Sequence, residues 1–463
     1  MTKTYDVLII GAGPSGIFAG FELARLRPDL KLAILEEGEA ISRRTCPIVA
    51  GKVDHCVHCP ICHIMHGFGG AGAFSDGKFN FTTEYGGWLN DYLSEQEVLD
   101  LIDEVDAINR AYGATDEIFS SKSEAAERIR LAALSHDIHL LDGRCKHLGT
   151  ENNLEILGKQ MAALEREVEI YTRCKVYSIQ DCAGGYHLET QCGDFEAPYL
   201  IAAPGRAGAE WFAKECERLG LKLLNNQVDL GVRVELPALT FKHITDAMYE
   251  AKLKYRTKPY NDQVRTFCMN PYGHVVTENT DGVITVNGHS YSDPELQSEN
   301  TNFALLVSNS FTQPFSEPYR YGKHIASLSN MLGGGIIVQR FGDLVAGRRT
   351  NEHRLKQSFT VPTLNATPGD LSLVLPKRHL DNIIDTINAL DKLAPGTANY
   401  DTLLYGVEVK FYSSRLELSS ELETGMRNFF AIGDGAGITR GLSQAGASGI
   451  HVARVIDSRM QKA

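Results

Sequence analysis

The stretch that most constrains this chain lies at residues 5–27. Tyr5-Asp6-Val7-Leu8-Ile9-Ile10 is a short apolar run that enters Gly11-Ala12-Gly13-Pro14-Ser15-Gly16, and a helical pattern follows from Ile17 to Arg27. Strand, glycine turn and helix in that order leave few folds open. Gly11 makes the tight turn, Gly13 lets the backbone approach a pyrophosphate, and Gly16 lets helix and strand pack closely. The helix that starts at Pro14 offers N–H groups from Ser15 onward, and the positive end of its dipole, to an anion. A second strand, Leu30 to Leu35, ends at Glu36 with Glu37 beside it, and a carboxylate there can hold both ribose hydroxyls. An acid at that place repels a 2′-phosphate, so the expected ligand carries ADP without one. A lone GxGxxG is weak, but strand, motif, helix, second strand and terminal acid at this interval are specific.

At 463 residues the chain exceeds one comfortable core, so two or three domains are expected. Hydrophobic content of 43% and charged content of 22% describe an ordinary globular protein. A net charge of -12 leaves no basic excess to neutralise phosphates, which argues against a nucleic-acid partner. The apolar start does not read as a signal peptide, because Asp6 and Glu22 bracket it and the glycine turn interrupts it. No run approaches the roughly 18 apolar residues of a membrane span. A cytoplasmic protein is expected.

After Glu36 the periodicity stops. Arg43 and Arg44 lead to Cys46-Pro47, then to His55-Cys56-Val57-His58-Cys59-Pro60-Ile61-Cys62-His63. The run Gly67-Phe68-Gly69-Gly70-Ala71-Gly72-Ala73-Phe74-Ser75-Asp76-Gly77-Lys78 reads as a backbone surface touched by something flat or phosphorylated. Ser94-Glu95-Gln96-Glu97 is a capping box that opens a helix, and a second helix spans about Ser121 to Leu134. Helix resumes from Leu154 to about Arg166, followed by strands at Val168 to Tyr171, Lys175 to Ile179 and Tyr199 to Ala203. From about 229 to 400 short alternating strands such as Leu230 to Leu236 and Val283 to Val286 suggest a mostly β domain. Pro271-Tyr272-Gly273 and Asn287-Gly288-His289-Ser290 read as turns there.

Near the end, Phe429-Phe430-Ala431-Ile432 is a strand that meets Gly433-Asp434-Gly435, and a closing helix begins near Leu442. A terminal strand ending in Gly-Asp suits FAD better than NAD, because a carboxylate there can accept ribityl hydroxyls. The helix start near Gly441 and Leu442 would point its positive end at the flavin. Ala445, Gly446, Ala447, Ser448 and Gly449 are small enough for close approach to the ring.

On these motifs the chain resembles the glutathione-reductase-like two-dinucleotide flavoproteins, and among them an uncharacterised group of FAD-dependent dehydrogenases. The resemblance rests on IIGAGPSG, the cysteine segment running into GFGGAGAFSDGKFN, IAAPGRAG, LGVRVELP, RTFCMNP, VNGHS and IGDGAGITRGLSQAGASG, and so covers nearly the whole chain. It implies FAD and names no substrate. By this resemblance Gly11, Gly13, Ser15 and Gly16 hold the pyrophosphate and Glu36 the adenosine ribose. Arg44 and the loop of Gly70, Ala71, Phe74 and Ser75 lie along pyrophosphate and ring. Val176 pairs its backbone with adenine, Ala203 and Gly205 pass over the cofactor, Gly433 and Asp434 face the ribityl chain, and Gly441, Leu442 and Ala445 face the ring. RTFCMNPYG departs from the group's pattern, with Asn270-Pro271-Tyr272 in place of Cys-Pro-Gly, and Cys268 receives no role.

Ten cysteines need an explanation in a cytosolic enzyme. Cys56, Cys59 and Cys62 are spaced CxxCxxC with Cys46 upstream, and three readings stand side by side. Four thiolates can complete a zinc or iron–sulfur shell; Cys56 and Cys59 can cycle as a redox dithiol; or the thiols fill a structural loop, with His55, His58 and His63 as polar loop residues. Cys145, Cys174, Cys182, Cys192 and Cys216 read as packing. His289 and Arg440 are further candidates, as proton donor and charge stabiliser beside the ring.

The expected architecture is α/β. A Rossmann-like FAD/NAD(P)-binding domain with a parallel sheet spans 1–90, 137–228 and 401–463, with a helical insertion at 91–136 and a mixed, mostly β substrate domain at 229–400. The expected activity is that of an FAD-dependent oxidoreductase, dehydrogenase or reductase, moving a hydride between flavin N5 and a small organic molecule. The electron partner is unassigned, since only one full GxGxxG unit is visible. A disulfide- or metal-linked reductase, a flavin monooxygenase and a non-catalytic FAD-binding protein are the alternatives.

Overall fold

The computed structural model describes residues 2–53, 56–224, 226–280, 282–309, 317–410, 413 and 415–462. His55 lies outside them. The chain divides into two compact units. Unit 1 is Met1–Glu117, Lys146–Asn226 and Tyr412–Ala463; unit 2 is Ile118–Cys145 and Gln227–Phe411.

Unit 1 is built on a five-stranded parallel sheet. Its strands in chain order are β1 (Val7–Ile10), β2 (Leu32–Leu35), β3 (Glu169–Tyr171), β4 (Tyr199–Ala202) and β5 (Phe429–Ala431). In space they run β5-β4-β1-β2-β3, every pairing parallel. β1 and β2 are buried along their whole length, as expected of strands covered on both faces, which is why they read as unbroken apolar runs. The segments of β1, β4 and β5 lie far apart in sequence yet sit side by side, which brings the glycine turn after β1 next to the Gly-Asp turn after β5. A further antiparallel meander, Val176–Cys182, Gly185–Thr190 and Gly193–Ala197, belongs to the same unit.

Helix α1 (Pro14–Leu26) leaves the glycine turn with Pro14 in its first turn, where a missing N–H costs nothing. Helix α2 (Glu95–Ala111) has the expected capping box: Ser94 Oγ accepts the Glu97 N–H, and Glu97 Oε2 accepts the Ser94 N–H. Helix α3 (Thr150–Leu164) follows, and α4 (Leu442–Lys462) closes the chain. The small residues of α4 serve helix packing as well as any ligand. A Cβ on Gly449 would stand 2.2 Å from the Ser15 carbonyl oxygen, and one on Gly446 would stand 2.9 Å from the Phe18 ring. At these two positions α4 crosses α1, which by itself requires glycine there.

Unit 2 is an eight-stranded sheet, antiparallel but for one short edge pairing. Strand Val228–Pro237 lies near its centre between Asn300–Asn309 and Leu403–Lys410. Val228, Leu230, Val232, Val234 and Leu236 on one face join an apolar core with helix residues Phe241, Ile383, Ile387 and Leu390. A separate hairpin pairs His274–Thr280 with Val283–His289. The expected turn at Asn287-Gly288-His289 is therefore strand as far as His289. The hairpin register His274↔His289 carries these residues on, and Asn287 Oδ1 is held by Arg233 at 2.9 Å. The helix Glu124–Leu134 also belongs to unit 2, whereas α2 belongs to unit 1.

Cys174 and Cys192 are not separate packing thiols. They face each other with Cα atoms 5.4 Å apart, within disulfide reach, and are bonded.

Candidate functional site

The glycine turn after β1 is shaped by what lies against it. Gly11 has φ of 97°, and a Cβ there would stand 2.2 Å from the Ala203 carbonyl oxygen, so Ala203 at the end of β4 closes one side. A Cβ on Gly16 would stand 2.0 Å from the Gly11 carbonyl oxygen. Gly13 is different: a Cβ there would meet only the Gly70 Cα, at 4.0 Å. Gly13 is the open point of the turn, and the loop around Gly70 lies over it.

Glu36, at the end of β2, is 6% exposed and accepts three backbone N–H groups. Ala12 donates to Oε2; Gly38 and Gly67 donate to Oε1, each at 2.8 Å. An ionised carboxylate has about four lone-pair sites, so Oε2 retains one for a hydroxyl. Glu36 thus ties turn, strand end and loop together and keeps capacity for one ribose oxygen. Glu37 points elsewhere, to Lys175 at 2.7 Å and His66 at 3.5 Å. Chiefly through His66, with Lys175 assisting, its carboxyl is pulled down to about 2 despite the opposing effect of burial.

Arg44 is 5% exposed, and its guanidinium donates to the carbonyls of His63, Ile64, Phe68 and Gly70. Burial pulls it down to about 10, against the attraction of Glu36 and Cys62. Its donors go to the loop, which it folds over the glycine turn, while Phe74 lies 5.0 Å away across its guanidinium. Ser75 is turned back onto the Gly72 carbonyl at 2.6 Å, and Ala71 sits in the 3-10 turn Gly70–Gly72. A Cβ on Gly72 would touch the Leu442 side chain at 2.5 Å, which sets the start of α4 beside this loop.

After β5 the chain turns through Gly433, with φ of 74°, into Asp434. Thr439 donates its hydroxyl to Asp434 Oδ1 at 2.7 Å, and Arg206 Nε stands 3.9 Å from Oδ2. The Asp434 side chain is 21% exposed, so one side remains open to a hydroxyl. Burial pushes its carboxyl above the ordinary range, while Arg206, the Thr439 hydrogen bond and Arg440 pull the other way. Gly205 has open space around it, and Gly441 approaches only Gly86 Cα, at 3.9 Å. Ala445 is buried in the first turn of α4, its N–H on the Gly441 carbonyl at 3.0 Å. Val176 is buried in the meander opposite Thr190.

The three glycine-rich segments at 11–16, 67–75 and 433–441 therefore gather at the carboxyl ends of β1, β4 and β5, the place where open parallel sheets bind ligands. Sequence reasoning passed over Thr439, Arg206, Ser443 and Gln444. Ser443 Oγ accepts the Asn80 N–H at 2.9 Å, and Gln444 reaches Tyr85 and Leu89, so residues 80–89 are pinned to the start of α4. The only sequence signal was hydroxyl and amide residues inside a glycine-rich run.

Cys46, Cys56, Cys59 and Cys62 are of intermediate exposure and lie outside the Cys174–Cys192 disulfide. Burial pushes the Cys62 thiol up; the Met65 and Ile64 backbone opposes this, and Cys46 and Cys56 add to it. Among the described residues no group of three or more His, Cys, Asp or Glu side chains is arranged to hold a metal ion. His63 Nδ1 accepts the Thr45 N–H at 3.0 Å, a loop contact. His289 belongs to unit 2, where its ring meets Tyr291 edge-on at 4.8 Å and lies 6.2 Å from His274. Arg440 belongs to unit 1, with its N–H on the Gly86 carbonyl at 2.8 Å.

Residues 228–411, within unit 2, match a family model described as FAD-dependent protein, C-terminal domain-like. No curated protein matches the chain. Among solved structures, glycine oxidase from Geobacillus kaustophilus is 13% identical over 99% of this chain and 95% of its own, with a TM-score of 0.39. L-proline dehydrogenase from P. horikoshii is 10% identical over 99% of this chain and 95% of its own, with a TM-score of 0.43. At these values no substrate or reaction passes from them to this chain. No helix among the described residues is long and apolar enough to cross a membrane.

Proposed function

We propose that the chain is an FAD-dependent oxidoreductase in which unit 1 holds the cofactor and unit 2 selects a small organic substrate. The observation that carries this reading is the pairing of two carboxylates on one parallel sheet. Glu36 stands at the end of β2 with one acceptor site left, and Asp434 follows β5 with one side open. A ribose at one end of a pyrophosphate and a ribityl chain at the other is what such a pair suits, and the pyrophosphate would cross the open backbone at Gly13. Ser15 and the residues after it in the first turn of α1 would present N–H groups to it, with Pro14 fixing the start of the helix. Bound FAD supplies a hydride acceptor and donor at flavin N5. The chain's part is to bind, orient and exclude water: Thr439 fixes the Asp434 carboxylate, Arg44 and Glu36 fix the covering loop, and the positive end of α4 favours negative charge near Leu442. The match of residues 228–411 to the C-terminal domain of an FAD-dependent protein also supports the reading.

The test is an anaerobic absorption spectrum of the purified protein before and after NADH or NADPH, with iron and zinc analysis of the same sample. A flavin spectrum, FAD released on denaturation and bleaching by a donor are expected. Protein that neither carries nor takes up FAD overturns the proposal.

A further inference from the structure

A single backbone hydrogen bond joins the Cys174–Cys192 disulfide to Glu36. After β3 the chain returns to the end of β2. The Arg173 N–H donates to the Gly38 carbonyl and the Cys174 N–H to the Glu36 carbonyl, each at 2.8 Å. The Glu36 N–H in turn donates to the Tyr171 carbonyl at 2.8 Å. Residues 171–174 thus fix the backbone at 36–38, from which the Glu36 carboxylate gathers Ala12, Gly38 and Gly67.

The other half of the bond lies in a turn. Cys192 stands between strands Gly185–Thr190 and Gly193–Ala197. The pairing of Gly185–Thr190 with Val176–Cys182 shifts register between Glu189 and Thr190, so the ladder is irregular where the two cysteines meet. Beyond the shift the Gln191 N–H reaches the Lys175 carbonyl at 2.8 Å, and the disulfide closes the end. The two sulfurs differ in access. Cys174 is 1% exposed, whereas Cys192 faces solvent, so an incoming thiolate reaches the Cys192 sulfur. Once the bond opens, the buried Cys174 thiol has a partner in place. Its Sγ is 3.4 Å from Thr190 Oγ1, and Thr190 gives its own proton to the Gly193 carbonyl at 2.5 Å, which leaves its oxygen free to accept.

We propose that the Cys174–Cys192 disulfide is an exchange site through which a dithiol reductant sets the affinity of unit 1 for FAD. One thiolate of the dithiol attacks the Cys192 sulfur, the S–S bond breaks, and Cys174 leaves with the electron pair and takes up a proton. The second thiol of the reductant then displaces Cys192, which also leaves as a thiol, and the reductant ends as a disulfide. Two electrons and two protons pass to the protein. With the bond open, the segment that fixes residues 36–38 loses its covalent tether to the hairpin, and the Glu36 carboxylate is held less firmly for the ribose. The proposal rests on reading unit 1 as the FAD-binding unit, and it adds a redox control to that site.

The test is a fluorescence titration of FAD into flavin-free full-length protein oxidised with glutathione disulfide, and into the same protein after dithiothreitol and anaerobic desalting. Alkylation and peptide mass spectrometry establish the state of both cysteines in each sample. The oxidised sample is expected to yield the linked Cys174–Cys192 peptides, and reduction to weaken FAD binding about fivefold or more. Cys192→Ser should bind FAD as weakly as the reduced parent and should not respond to dithiothreitol, which separates this bond from the other cysteines. Equal FAD affinity in the two states of the parent overturns the inference, even where reduction lowers the melting temperature, because the bond then serves the fold alone. Both cysteines alkylated after glutathione disulfide treatment overturns it as well. FAD that binds neither state overturns the proposed function together with the inference, whereas FAD that binds both states alike overturns the inference alone.

Discussion

The Glu36 carboxylate accepts the Gly67 N–H across 2.8 Å and so fastens the end of β2 to the loop that lies over the glycine turn. With Ala12 and Gly38 it gathers three backbone donors on one buried side chain. Replacing one oxygen by an amide nitrogen sets donor against donor. Glu36→Gln is expected to lose about 1–3 kcal/mol of stability in urea and to weaken FAD binding about tenfold or more, read by flavin titration. A variant matching the parent in both measurements would remove Glu36 from the cofactor site.

Asp434 separates cofactor binding from folding. Its carboxyl is raised above 3.8 by burial, so the folded chain holds that proton more tightly than the unfolded chain does. The sign follows: as pH rises from about 3.8 through the folded pKa, the carboxylate costs stability, and below that window the cost is gone. Asp434→Asn removes the charge and keeps an acceptor for Thr439. The flavin-free variant should therefore melt no lower than the parent at neutral pH, while FAD binds about tenfold or more weakly, roughly 1.4 kcal/mol or more. A lower melting temperature with unchanged FAD affinity would mean that Asp434 serves the fold and not the ligand.

What could be read from the sequence was local or periodic. β1, the glycine turn and α1 are contiguous, so their order names the unit, and the capping box of Ser94 and Glu97 lies within four residues. The α/β parallel-sheet class followed from those signals and from the Gly-Asp strand end. Contacts that join distant segments were not legible. Arg233 and Glu408 are 175 residues apart, and nothing in LGVRVELP says that its arginine is buried. Gly449 looks like a ligand contact in sequence because small residues signal close approach without saying to what; the partner is Ser15, on another helix. Arg44 fits the same pattern, for its donors all answer backbone carbonyls 19 to 26 residues on, which a one-dimensional motif does not display.

That crossing predicts opposite outcomes for two glycine-to-alanine changes. At Gly449 a Cβ would sit 2.2 Å from the Ser15 carbonyl oxygen and 2.8 Å from the Ala19 nitrogen, both backbone atoms that cannot swing aside. Gly449→Ala should destabilise unit 1 by about 1–3 kcal/mol as α4 is pushed off α1. Gly158 lies inside α3 with nothing within 4 Å of its Cβ position. Gly158→Ala should stabilise by about 0.5–1 kcal/mol, since alanine loses less backbone freedom in a helix. Chemical denaturation of both variants decides; a shift of the same sign in each would refute the packing account.

His379 predicts the acid limb of unit 2. It is 5% exposed, and neither ring nitrogen has a hydrogen-bond partner. Burial pulls its pKa down to about 4, with Arg378 adding to the fall and Asp262 opposing it. An unfolded histidine titrates near 6.5, so between about 6.5 and 4 the unfolded chain binds the extra proton and stability drops as pH falls. Above 6.5 the two states bind equally and the histidine contributes no slope. Across the window the shift corresponds to roughly 3 kcal/mol. His379→Leu keeps an apolar side chain of similar length there and removes the proton. The variant should match or exceed the parent at pH 7, and at pH 4.5 its unit 2 should be clearly more stable, read by urea unfolding at the two pH values. Parallel losses in parent and variant between pH 7 and 4.5 would assign the acid limb to other groups.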